Sequence, residues 1–202
     1  NALPLDNTGA QFTIVNGITN PLPGPTGDFT IELYDSNFNL VDSQVEIPGV
    51  TITPGVLTGT DVELNSLAAG AVGAVNVQFT LANALPADGT IVVTFPAGFE
   101  VDEGDPTDMF GQPDGFGSFS VGTTPEGDGT KKVTVTRGDS DDALAAGTGV
   151  NFSLSNIKNP EAAGSTGTYQ IKTTNADDSI IDQDNAVEAD TITFATPDHW
   201  DI

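Results

Sequence analysis

The stretch Gly73-Ala74-Val75-Asn76-Val77-Gln78-Phe79-Thr80-Leu81 decides the fold class. From Val75 to Leu81 apolar and polar residues alternate, the period of two that buries one face of a strand and wets the other. Ile91, Val93 and Phe95 repeat the pattern, as do Val133 and Val135. Thirteen Pro and 23 Gly punctuate the chain at roughly the 8–12-residue spacing of a sandwich or barrel. Leu67–Ala74 and Asp141–Gly147 contain alanines, but their glycines interrupt any helical apolar stripe. Asp88-Gly89, between two alternating runs, predicts a hairpin turn. The expectation is an all-β chain of immunoglobulin-like or jelly-roll β-sandwich modules with no substantial helix. Strands are predicted at Gln11–Val15, Phe29–Tyr34, Leu40–Ile47 and Val50–Thr53, then at Asp61–Leu64, Gly73–Leu81, Thr90–Phe95 and Gly117–Val121. Lys131–Arg137, Val150–Ser155, Gly167–Thr174, Ser179–Val187 and Asp190–Phe194 complete the set.

The chain also repeats itself. Ile18-Thr19-Asn20-Pro21 returns as Ile157-Lys158-Asn159-Pro160, and Thr26-Gly27-Asp28-Phe29-Thr30-Ile31 as Thr166-Gly167-Thr168-Tyr169-Gln170-Ile171. Leu40-Val41-Asp42 matches Ile180-Ile181-Asp182, and Val50-Thr51-Ile52-Thr53 matches Asp190-Thr191-Ile192-Thr193. A period this long marks a whole domain and not a solenoid turn of roughly 20–50 residues. Residues 1–53 therefore read as a partial sandwich repeat, 54–195 as a complete one and 196–202 as a tail. A partial copy is expected to belong to a longer array or to be completed by another subunit.

Five Lys and Arg face 29 Asp and Glu, a net charge of −24. Such a surface repels phosphate backbones and argues against nucleic acid. High salt, divalent cations or solubility account for it instead. No run of 18 apolar residues exists, so no membrane-spanning helix is expected. No basic, apolar leader is visible, so an exported form would have lost its signal already. The absence of cysteine removes disulfides, iron–sulfur clusters and thiol catalysis. Asn151-Phe152-Ser153 is a glycosylation sequon set inside a predicted strand.

Catalysis finds little support. The single histidine, His199, lies in the terminal segment Pro197–Ile202, and a Ser–His–Asp triad needs its base held rigidly in a cleft. With one His and no Cys, zinc is disfavoured, and Gly111–Gly117 lacks the Lys and helix of a phosphate loop. The expectation is that the protein is not an enzyme. Calcium is the expected cofactor, if any, because acid-rich loops with Gly and Pro can wrap its oxygen shell. Asp102, Glu103, Asp105 and Asp108 form one candidate cluster, Asp139, Asp141 and Asp142 a second, and Asp177, Asp178, Asp182 and Asp184 a third. None has EF-hand spacing. The tract Glu103–Gly117 is the longest irregular loop.

The run Ala84–Phe99, with Leu144-Ala145-Ala146-Gly147, Ser155–Pro160 and Thr166–Tyr169, resembles a repeat domain of large extracellular surface proteins of microbes and algae. The resemblance implies an immunoglobulin-like sandwich at the cell surface with no catalytic residues. More loosely, the acidic, cysteine-free chain is similar to subunits of archaeal cannulae and other extracellular filaments joined by donor strands. The functional expectation is an extracellular structural subunit that assembles with copies of itself by β-strand complementation into a filament, tube or surface array. Phe12, Ile14, Phe29, Ile31, Leu33, Val50 and Ile52 are the expected interface residues, and Trp200, near Phe194 and Ile202, an aromatic anchor. The alternative is an adhesin or carbohydrate-binding module acting through its acidic loops.

Overall fold

Alternating β-branched residues separated by Gly and Pro favour strands over helices, and among the described residues the chain contains strands and no helix. The computed structural model describes residues 13–15, 17–18, 20–102, 105, 107–112, 115–138 and 142–195. The chain divides into two compact units, 1–52 and 53–202.

Unit 1 consists of β1 (Gly24–Pro25), β2 (Phe29–Tyr34), β3 (Leu40–Ile47) and β4 (Thr51–Ile52). β2 and β3 form an antiparallel hairpin, and β1 pairs with β4 across its base. Asp35 shapes the turn: its Oδ1 accepts from the amides of Asn37 and Asn39 at 2.8 and 2.9 Å, Asx-type local bonds that add to the backbone bond from the Asp35 amide to the Asn39 carbonyl.

Unit 2 begins with β5 (Gly55–Val56), β6 (Thr58–Leu64), β7 (Val72–Thr80), β8 (Thr90–Phe95) and β9 (Met109–Phe110). It continues with β10 (Phe119–Pro125), β11 (Lys131–Arg137), β12 (Gly149–Lys158) and β13 (Gly164–Ser165). The last strands are β14 (Tyr169–Thr174), β15 (Ile180–Val187) and β16 (Thr191–Ile192). One sheet has the order β10-β11-β8-β14-β15-β5 and the other β6-β7-β12-β9. Val62, Val75, Val77, Phe79, Phe152 and Leu154 of the second sheet join Ile91, Val93, Phe95, Val133, Tyr169 and Ile171 of the first in one buried cluster. The module is a β-sandwich. Fully burying such a side chain contributes about 1.5–3 kcal/mol, so this shared layer is the main source of stability.

Several expectations change. Asp88-Gly89 does make a turn, with the Gly89 amide donating to the Pro86 carbonyl at 2.9 Å. The strands on either side do not form a hairpin, because β7 pairs with β6 and β12 while β8 pairs with β11 and β14. The link crosses between sheets, and Leu85, fully buried, bridges to Leu144 on the way. No strand forms at residues 13–15, and Gln11 and Phe12 lie outside the described residues. The tract Glu103–Gly117 is partly anchored: Met109 pairs with Leu154 and Phe116 is fully buried. Phe194 is exposed, but so are Phe38, Tyr34, Phe29 and Phe110, so the aromatic surface is not confined to the C-terminal segment.

Candidate interaction surface

The two copies of the repeat fold to the same local structure. In unit 1 the pairs are Phe29↔Ile47, Ile31↔Gln44, Glu32↔Ser43, Leu33↔Asp42 and Tyr34↔Leu40. In unit 2 they are Tyr169↔Val187, Ile171↔Asp184, Lys172↔Gln183, Thr173↔Asp182 and Thr174↔Ile180. Every pair is displaced by the repeat offset, and both hairpins carry register shifts at the same two places. The base recurs as well: Thr26 accepts from the Val50 amide as Thr166 accepts from that of Asp190, each at 3.0 Å. The residues that hold the hairpin are local, so the conformation follows the sequence in both places.

Their surroundings differ. In unit 2, β14 pairs with β8 and β15 runs parallel to β5. Tyr169, Ile171, Thr173 and Asp182 are consequently 0% exposed. In unit 1 the corresponding Phe29, Ile31 and Leu33 are 49%, 40% and 55% exposed. Alternation puts all three on one face of β2. Among the described residues of unit 1, no strand pairs with the outer edge of either hairpin strand. Such an open edge beside an apolar face is the usual template for strand addition.

Asp182 shows what completion of the hairpin involves. Its carboxylate accepts from the amides of Ala82 and Asn83 at 3.0 and 2.9 Å and from Asn83 Nδ2 at 2.7 Å. Gly55 lies against it, and a β-carbon there would collide with Asp182 Oδ1 and Asn83 Nδ2. In unit 1, Asp42 is exposed and its Oδ1 accepts from the adjacent Ser43 amide at 2.8 Å. Sequence reading matched Leu40-Val41-Asp42 with Ile180-Ile181-Asp182 but assigned no buried role to either aspartate. The recurrence of Asp in an otherwise apolar tripeptide was the available signal. Beside it, the Glu32 carboxylate accepts from the Tyr34 hydroxyl and raises the phenol's pKa. The amide groups around Asp35, led by Asn39, hold that carboxyl below its ordinary value.

A second coordinated difference lies at the base. Tyr169 donates its hydroxyl to Asp190 at 2.7 Å, while the equivalent residues in unit 1 are Phe29 and Val50. Burial, then the bond to Asp190, push the Tyr169 phenol well above its usual range. The folded chain therefore favours the neutral phenol; its stabilisation is complete below about pH 10 and is lost as the pH climbs beyond that. Tyr169→Phe alone is expected to cost about 1–2 kcal/mol, because it strands a partly buried acceptor. Adding Asp190→Val installs the apolar pair of unit 1 and is expected to restore most of the loss. Urea unfolding of the four members of that double-mutant cycle measures it.

Of the other expected interface residues, Ile14 and Val50 are exposed and Ile52 is half-buried in β4. Phe12 and Trp200 lie outside the described residues, as do His199 and Ile202.

Several of the acidic residues singled out in the sequence make local hydrogen bonds. Asp102 Oδ1 accepts from the Thr107 amide at 2.6 Å, its own amide donates to Thr107 Oγ1 at 3.0 Å, and the Thr123 hydroxyl donates to Oδ2. Burial pushes the Asp102 carboxyl upward, but the bonds from Thr123 and Thr107 outweigh it and hold the group below its ordinary value. Asp102 thus holds Thr107 above the unfolded carboxyl value, about pH 4, and releases it as the pH falls below that. The protection factor of the Thr107 amide, that is its exchange relative to the intrinsic rate at each pH, is expected to fall between pH 6 and pH 2.5 only in the acid half. Asp108 Oδ1 caps the Met109 amide at 2.8 Å, and the Asp142 carbonyl accepts from Arg137 at 2.8 Å. Glu103, Asp139 and Asp141 lie outside the described residues. Asp184 accepts from the Thr60 hydroxyl at 2.7 Å, and Asp177 and Asp178 sit in the β14–β15 turn. Among the described residues, no three metal-ligating side chains converge. A shallow depression on the outer face of the smaller sheet is lined by Glu63, Asn65, Asn76, Phe110 and Ser153. Among the described residues that line it, Glu63 is the one ionisable group, without a second acid or base to share a proton.

No family model matches the chain, and no curated protein matches it. Among solved structures, it is similar to BslA, a bacterial hydrophobin, with 18% identity and a TM-score of 0.38 over 69% of this chain and 98% of that one. It is also similar to an uncharacterized immunoglobulin-like protein from Nocardia farcinica, with 16% identity and a TM-score of 0.43 over 68% of this chain and 98% of that one. For a putative membrane anchored protein from Corynebacterium diphtheriae the identity is 12% and the TM-score 0.40, over 90% of this chain and 46% of that one. These likenesses carry no argument about activity. The all-β sandwich rests on the strands and core described above.

Proposed function

We propose that this protein is an extracellular structural subunit that joins β-sandwich modules through its N-terminal hairpin, as part of a filament, tube or surface array. One observation carries the reading: the apolar face of β2 is exposed within unit 1, while the same face of its repeat, β14, is buried in a complete sandwich. A sheet edge with alternating Phe, Ile and Leu gains main-chain hydrogen bonds and side-chain burial together when a strand adds to it. The dense acidic surface keeps such modules soluble until that contact forms. In this role the protein is not an enzyme. Calcium would act by bridging carboxylates between modules and not as a catalytic ion.

Negative-stain electron microscopy of the purified chain, with calcium and with chelator, tests the reading. Polymers in calcium would support the reading with copies of this chain as the joined modules, and polymers that persist in chelator would leave that assembly standing without the ion. Isolated particles in both conditions, together with no protection of residues 29–47 when a sandwich body with a vacant hairpin place is supplied, would overturn it.

A further inference from the structure

The exposed hairpin carries a specification of its partner, which deepens the proposed function and rests on it. We infer that the hairpin of residues 29–47 docks onto a sandwich body built like residues 55–158 of this chain, one whose own hairpin place is vacant. The second copy of the repeat shows how. β14 lies antiparallel to β8 with Ile171 opposite Val93, Thr173 opposite Ile91 and Thr174 opposite Thr90. Transferred through the identical hairpin register, the partner sets a Val-like residue opposite Ile31, an Ile-like residue opposite Leu33 and a Thr-like residue opposite Tyr34.

Asp42 makes the partner's chemistry more specific than an apolar strand. Its counterpart Asp182 is buried with two backbone amides and one side-chain amide as donors. Docking that buried Asp42 without such donors would strand a carboxylate in an apolar interface, which is strongly unfavourable. The partner therefore presents two successive N–H groups with an Asn or similar amide, as Ala82-Asn83 does. It also presents a glycine on a short parallel strand, as Gly55 does, because a side chain there would occupy the space of the carboxylate. A generic sheet edge lacks both features.

The body of a second copy is the less suitable occupant. Its place is filled by residues 164–192, so exchange would gain no net pairing. Leu33 would also enter the fully buried position of Thr173, and added bulk in a packed core is destabilising. Leu33 and Tyr34 stand where Thr173 and Thr174 stand, so the partner differs from this body at the positions opposite them.

The test compares the native chain with an extended one in which residues 1–17 are replaced by a second copy of residues 54–156, so that Asn156 runs into Ile18 as it runs into Ile157. Hydrogen exchange is read on peptides covering 29–47 and 169–187. In the native monomer, 29–47 is expected to exchange fast. In the extended chain it is expected to slow by on the order of 100-fold or more, and Asp42→Ala in that chain is expected to return it to fast exchange. A second extended chain with Leu33→Thr removes the bulk mismatch. If 29–47 is already as protected as 169–187 in the native monomer, the face has no vacancy and the proposal falls. If both extended chains leave 29–47 unprotected, or if the added body fails to fold in both, the hairpin does not complete such a body. A mixture of native-length Glu32→Cys and Val92→Cys chains that readily forms a mixed disulfide would instead make a second copy the occupant, against the inference. Exchange is read on monomers and assembly on micrographs, so either can fail without the other.

Discussion

Asp182→Ala is expected to destabilise unit 2 by about 3–5 kcal/mol, while Asp42→Ala changes stability by no more than about 0.5 kcal/mol. The two residues occupy equivalent places in equivalent hairpins, so the contrast isolates environment from local structure. At Asp182 the carboxylate is fully buried and joins three elements: β15, the Ala82–Asn83 segment after β7, and Gly55 on β5. Truncation leaves two backbone N–H groups and one amide without their acceptor in the protein interior, and each loses a charge-assisted bond. Asp42 is exposed, and water replaces what its carboxylate loses. Denaturant unfolding gives the global values, and hydrogen exchange at 80–84 and 180–184 locates the loss within unit 2. Similar costs for the two substitutions would show that the local hairpin, and not its burial, is what the aspartate supports. The same outcome would remove the reason to expect an amide-rich partner at Asp42.

Arg137→Ala should be nearly as damaging, at about 3 kcal/mol. Arg137 is 2% exposed at the end of β11. Its guanidinium donates to the carbonyls of Phe116, Pro86 and Asp142 at 3.0, 2.9 and 2.8 Å, and lies 5.3 Å from the centre of the Phe116 ring. Three loops are gathered on one planar fork, two of them also joined by the Leu85–Leu144 bridge. Alanine leaves those carbonyls facing a cavity, and the 108–118 tract is expected to lose exchange protection first. Arg137→Lys is expected to recover less than half of the loss, because a point-charge ammonium cannot reach carbonyls spread over the plane of a guanidinium. Full recovery with lysine would show that charge alone, and not the fork, holds the loops.

Period-two patterning was enough to place most of the strands. Thr90–Phe95 and Lys131–Arg137 fold over the residues expected of them, since alternation and flanking turn residues are local properties. The repeat marked corresponding strands in the two copies, while their shared hairpin pairing and the turns shaped by Asp35 and Asn175 became visible only in the structure. Glu103–Gly117 read as irregular because its anchors are single residues, Met109 and Phe116, with no period to reveal them. Asp102, Asp108 and Asp182, which the sequence grouped with neighbouring acids, each take a hydrogen-bonding task of their own. A carboxylate's role is set by the donors that the fold brings to it, and those lie far along the chain.

Phe29-Thr30-Ile31-Glu32-Leu33 and Tyr169-Gln170-Ile171-Lys172-Thr173 therefore specified the same strand from sequence alone, because backbone pairing and side-chain alternation need only near neighbours. Whether that strand ends in a core or at an open edge was decided by tertiary structure. Residues 55 and 90–95 must arrive from more than 70 positions away to cover the second hairpin, and none of the described residues of unit 1 does so for the first. Burial is a property of what packs against a segment. A local sequence encodes only the readiness to be covered.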